Sequence, residues 1–153
     1  MAFDAPSLKG RALRLLSQRE HSRAELERKL ARHEEEPGTL AKALDELAAK
    51  DFISEPRVVA SVLNQRAARS GALRVKQELQ AKGIAPEAIA EAVAGLQETE
   101  VERATAVWRQ RFAGPPADAK ERAKQMRFLM ARGFPGAVVS RVLRSDFDDE
   151  ADE

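Results

Sequence analysis

The sequence has no cysteine and no tyrosine, one tryptophan and two histidines, and only 5% of its 153 residues are aromatic. Without cysteine there can be no disulfide and no thiolate metal cluster. Two histidines, His21 and His33, twelve residues apart with no constellation around them, make a poor metal or acid–base centre, and His21 is expected in a turn between helices. Apolar runs are only a few residues long, as at Val58–Ala60. A spanning helix needs about 20 such residues. The opening "MAFDAPSLKG" lacks the apolar centre of a leader, so a cytoplasmic location is expected. Neither G-x-x-x-x-G-K-[ST] nor G-x-G-x-x-G occurs, and with them goes any familiar phosphate cradle.

What is present is charge and helical periodicity. Charged residues make up 33% and hydrophobic residues 43%, a globular balance. The formal net charge of +1 hides an asymmetry, because the last nine residues, "SDFDDEADE", hold six acids and no Lys or Arg. Residues 1–144 therefore carry 26 bases against 19 acids, a charge of +7. Such a body favours an anionic partner, a nucleic acid or an acidic protein face, though a solubilising surface would look the same.

The apolar residues recur at helical spacing. Leu8, Ala12, Leu15 and Leu16 lie down one side; Leu40, Leu44 and Leu47 form another stripe; Val58, Val59, Val62 and Leu63 a third. Ser22 with Glu25 forms a capping box, and Ser54 with Pro56 reads as a helix start. Gly83 and Gly133 suit left-handed helix ends. Trp108, Phe112, Met126 and Met130 are expected in the core, and the Glu34–Glu36 run in a solvated turn. No stretch alternates long enough to be a strand, so the class is all-α.

Three phrases echo each other: "SRAELERKL", "LRVKQELQAKGI" and "KQMRFLMARGF". Leu26, Leu79 and Leu129 correspond, at spacings of 53 and 50 residues, and each is followed three residues later by a base, Lys29, Lys82 or Arg132. A period of that length marks stacked helical units. The expected organisation is tandem three-helix repeats in an elongated array curved to either hand. The expected divisions are 1–70, 71–114 and 115–145, with a disordered acidic tail at 146–153.

The bases supply the candidate surface. Six of them and one acid lie between Arg57 and Lys82, and eight with two acids between Arg103 and Arg132. Arginine predominates, which suits bidentate pairing with carboxylates or phosphates. Arg66, Arg69, Arg74, Lys76 and Lys82 in the middle, with Lys124, Arg127 and Arg132 near the end, are the candidate partner-binding residues. Arg66 and Arg69 are expected to share a helix face. A merely wet helical face is the plain alternative. No catalytic residue, metal or cofactor is expected.

Laid out this way, the chain resembles the RecX family of regulatory proteins along nearly its whole length. The resemblance rests on "ALRLLSQREHSRAELERKL", "RVVASVLNQRAARSGALRVKQELQAKGI" and "KQMRFLMARGFPGAVVSRVL", in that order. It departs where the family often has Gly-Tyr followed by an acidic pair, since this chain reads Asp51-Phe52-Ile53-Ser54-Glu55. The resemblance implies tandem three-helix repeats and no enzymatic activity. The implied partner is the RecA recombinase filament on single-stranded DNA, engaged by a monomer in the filament groove, with effects on its ATPase, strand exchange and assembly. A helical protein that binds single- or double-stranded DNA directly, and a generic helical adaptor, stay open beside it.

Overall fold

The structure is a computed structural model that describes the backbone of residues 5–151 and the side chains of residues 5–144. It is all-helical, with no strand among the described residues. Three helices make each of three units. Unit one holds α1 (Leu8–Gln18), α2 (Arg23–Leu30), a 3₁₀ turn at Ala31–His33 and α3 (Thr39–Ala49). Unit two holds α4 (Glu55–Arg66), α5 (Ala72–Ala81) and α6 (Pro86–Gln97). Unit three holds α7 (Glu100–Arg111), α8 (Ala119–Ala131) and α9 (Gly136–Ala151).

The starts and stops follow from local chemistry. The Ser7, Ser22, Ser54 and Asp118 side chains each accept a bond from an otherwise orphaned backbone N–H, of Gly10, Glu25, Arg57 and Glu121 respectively. Ser22 and Glu25 complete the expected capping box. At the far ends, α5 and α8 stop in the same way. Gly83 and Gly133 turn left-handed at φ 71° and 91°. The N–H of Ile84 donates to the Leu79 carbonyl (3.1 Å) and that of Phe134 to the Leu129 carbonyl (3.3 Å). All four of those side chains are buried, so each helix end is also a core contact. Helix α3 ends likewise on Asp51 at φ 66°, a non-glycine residue in the place where the resembled family often has glycine.

Each unit has its own core. Leu26, Leu40, Leu44 and Leu47 centre the first, Val58, Val62, Val75 and Leu79 the second, and Trp108, Leu129, Phe134 and Val142 the third. Close helix packing is confined to pairs within a unit, apart from α6 against α7.

These cores correct the expected divisions. Helix α4 shares a core with α5 and α6, and α7 with α8 and α9, so the breaks fall near 50–54 and 98–99 rather than at 70 and 114. The repeated phrase is the middle helix of each unit, not its beginning. The acidic stretch also differs from expectation: with no proline or glycine after Gly136, α9 continues to Ala151. Asp152 and Glu153 of that stretch lie outside the described residues.

Candidate binding surface

The units are joined through their middle helices, end to end. At the first joint the N-terminus of α2 meets the C-terminus of α5. The Ser22 hydroxyl donates to the Lys82 carbonyl (2.5 Å), and the Arg28 guanidinium to the Ala81 carbonyl (2.8 Å). At the second joint the N-terminus of α5 meets the C-terminus of α8. The Gly71 N–H donates to the Arg132 carbonyl (2.8 Å), the Leu73 N–H to Gly133 (3.1 Å), and Arg74 Nη1 to Ala131 (3.3 Å). At the second joint unpaired N–H groups of one helix end thus satisfy carbonyls at the end of the next, and at the first joint the Ser22 and Arg28 side chains do the same. This is the physical reason the phrase recurs. Each middle helix must offer a cap that fits the neighbour and a terminus into which the neighbour can dock.

Buried ionic groups fasten both joints. Glu25 of α2 takes Arg19 (2.7 Å), Lys82 across the joint (3.2 Å) and the Ser22 N–H (3.1 Å). Burial alone would raise its carboxyl, but Arg19, the Ser22 N–H and Lys82 outweigh it and hold it at about 2. At the second joint the buried Glu100 carboxylate accepts from the Ala72 N–H (2.8 Å), serving as a cap for α5 from another unit. Arg103 donates to the carbonyls of Ala67, Ser70 and Leu96 (2.8, 2.8 and 3.1 Å) and locks the α4–α5 turn onto α7. Its burial lowers the guanidinium below its ordinary value, partly offset by the Glu100 charge. Sequence reading places Arg103 only in a run of bases and does not single out Glu100, because a cap lent by a different unit leaves no spacing to read.

The eight candidate bases divide accordingly. Lys82 is half-buried and committed to Glu25, so its part is to hold units one and two together. Arg66 is exposed but paired with Glu78 (2.9 Å). Helix α4 ends at Arg66, which puts Arg69 in the following turn and not on a shared helix face, because Ser70 and Gly71 must turn the chain into the second joint. Arg132 stacks over Phe128, 5.1 Å from the ring centroid. Arg69, Lys76, Lys124 and Arg127 are exposed and have no acid partner among the described residues. Arg74 is exposed too, although one of its nitrogens reaches Ala131.

The second joint brings several of these together, since Arg69 and Arg74 flank Gly71 where it bonds Arg132. The same segments carry two of the large exposed apolar side chains, Leu73 (48% exposed) and Met130 (52%). Met130 was expected in the core. Helical spacing from Met126 suggested it, but α8 buries Gln125 and Leu129 instead and turns Met130 outward. Charge is uneven as well: residues 100–144 of unit three hold ten bases and four acids. The second joint thus places two exposed apolar side chains on segments that also carry bases without an acid partner among the described residues.

Sequence models of the RecX family match three stretches, the first three-helix domain at 9–47, the second at 54–93 and the third at 98–143. This chain belongs to the RecX family. The matched stretches agree with the three cores. Regulatory protein RecX of Leptothrix cholodnii is 53% identical over 146 residues, covering 94% of this chain and 93% of that protein. Regulatory protein RecX of Ralstonia nicotianae is 51% identical, covering 90% and 87%. Among solved structures, RecX from Lactobacillus salivarius superposes with a TM-score of 0.74 at 21% identity, over 90% of this chain and 93% of that one. That likeness extends the RecX fold to this chain. These relatives bear the name of regulatory proteins, and no helix among the described residues is long and apolar enough to cross a membrane.

Proposed function

We propose that this protein regulates the RecA recombinase. It binds the RecA filament on single-stranded DNA in the filament's groove and inhibits or modulates its ATPase, strand exchange and assembly. The action takes place in the cytoplasm, by a monomer, within the control of recombination, DNA repair and the SOS response. The observation that carries the reading is the second joint, where Leu73 and Met130 stand exposed among Arg69, Arg74, Lys76 and Arg127. Three linked units can touch more than one protomer of a filament at once, and contacts that differ between filament states shift the population toward the state bound better.

The test is co-sedimentation with preformed filaments, comparing wild type with Lys124→Glu/Arg127→Glu. Both side chains are exposed on α8 and tie down no part of the fold. Weaker co-sedimentation of the variant, at unchanged helicity, is the expected result. Equal binding would remove α8 from the contact surface.

Exposed bases equally favour direct DNA binding as a second reading. Binding to naked DNA that falls steeply with salt and is indifferent to recombinase would support it.

A further inference from the structure

Unit one holds a cationic groove of about 640 Å³ between α1 and the end of α2, bordering the first joint through Arg28. Arg11 and Arg14 line it from α1, and Arg28, Lys29, Arg32 and His33 from α2 and the 3₁₀ turn. No carboxylate lines it, and none of the six bases forms an ion pair with an acid among the described residues. Arg28 is partly committed to the Ala81 carbonyl, Arg32 lies 3.2 Å from His33, and Lys29 lies 3.1 Å from His21 Nε2. Arg11 and Arg14 make no side-chain hydrogen bond among the described residues. An adjoining depression shares Arg11, Arg32 and His33 with the groove, but not Arg14, Arg28 or Lys29, and is lined by the acids Glu35 and Glu36.

Gathering this many like charges around one cleft costs self-repulsion, and the walls focus the field into it. His33 shares the cleft, where desolvation and then the charges of Arg11 and Arg32 push its imidazole below the usual value. Arg28 also serves the first joint, but Arg11 and Arg14 fasten nothing among the described residues, and the core of unit one is built from Ala12 and the leucines of α2 and α3. An external anion would relieve the repulsion.

We propose that the groove is a binding site for the sugar–phosphate backbone of single-stranded nucleic acid. Four of the six bases are arginine, whose planar fork matches phosphate oxygens in pairs. Basic side chains on both walls can hold successive phosphates, and the half-buried Leu15 gives the sugars an apolar contact. An open cleft of this volume has room for a nucleotide or two of a flexible strand. The site is independent of the recombinase reading: it acts on a naked strand, and its failure would leave that reading standing.

The experiment is fluorescence anisotropy of a labelled oligothymidylate with the full chain and no recombinase, titrated across salt concentrations. Arg11→Glu/Arg14→Glu is expected to weaken binding at least roughly tenfold at low salt. It should flatten the log–log salt dependence by about 1.4, two phosphate contacts at ~0.7 each. Lys42→Glu/Lys50→Glu makes the same change in net charge on exposed residues outside the groove and is expected to bind nearly as wild type. Equal loss in both variants would mean a diffuse charge effect and overturn the site. So would an unchanged Arg11/Arg14 variant, or no binding by wild type at low salt. Displacement of the strand by an equal concentration of a peptide of residues 145–153 would make an acidic protein segment the ligand, and also overturns it. Should the double variant fail to fold, Arg14→Gln, an exposed single change, is expected to flatten the slope by about 0.7.

Discussion

Glu25 shows how much one carboxylate can be asked to do. It completes the α2 cap, takes Arg19 and reaches Lys82 in the next unit, all from a buried position. Its pKa of about 2 lies below the ordinary 4.5. A folded-state pKa that is depressed contributes stability above the unfolded value, and that contribution is lost as pH falls toward the folded one. Acid titration of the melting temperature should therefore show wild type losing on the order of 3 kcal/mol between about pH 4.5 and pH 2 that Glu25→Gln does not lose. Parallel curves for the two proteins would show that Glu25 is not the fastening described. Glycines divide just as sharply. A Cβ on Gly133 would stand 2.5 Å from the Arg74 Cβ and 2.6 Å from its backbone nitrogen, at φ 91°. Gly95, within α6, has nothing within 4 Å. Gly133→Ala is expected to cost about 2 kcal/mol or more, and Gly95→Ala to add about 0.5–1 kcal/mol by helix propensity, as read from urea midpoints. The same sign for both would contradict the close approach at the second joint.

Among the elements, α8 was the hardest to read from sequence and α3 the easiest. Leu40, Leu44 and Leu47 are apolar at the right spacing and are buried. In α8 the buried face includes Gln125, whose side-chain oxygen accepts from Trp108 Nε1 (2.8 Å) and whose nitrogen donates to the Gly114 carbonyl (3.2 Å). A periodicity count treats glutamine as exposed and methionine as buried, so it rotated the helix and placed Met130 inside. Only the position of the single tryptophan on α7 explains why a polar residue belongs there. Gln125→Met should cost about 1–3 kcal/mol by orphaning the indole N–H. Because the chain has one tryptophan, urea unfolding followed by its fluorescence reads unit three directly. A midpoint equal to wild type would mean that water replaces the lost acceptor.

At the scale of the molecule, the repeat was legible and its phase was not. Leu26, Leu79 and Leu129 do occupy equivalent places, in α2, α5 and α8. A period, however, says how far apart units lie and not which helices share a core, and no spacing encodes that Val58 of α4 and Val75 of α5 belong to one core. The Ser54–Pro56 start was the available signal for where unit two begins. Of the candidate bases, the sequence could place charge along the chain but could not tell Lys82, spent on Glu25, from Arg69, free on the surface. The groove lined by Arg11 and Arg14 went unnoticed because its two walls come from segments that only the fold brings together.

The central claim, that three joined units act on a RecA filament, is tested most directly by ATP hydrolysis. A cognate RecA filament is preformed on single-stranded DNA, and this protein is titrated in below one molecule per protomer. The account predicts a fall in hydrolysis at substoichiometric levels, weakened in Lys124→Glu/Arg127→Glu. An unchanged rate at saturating protein would contradict it.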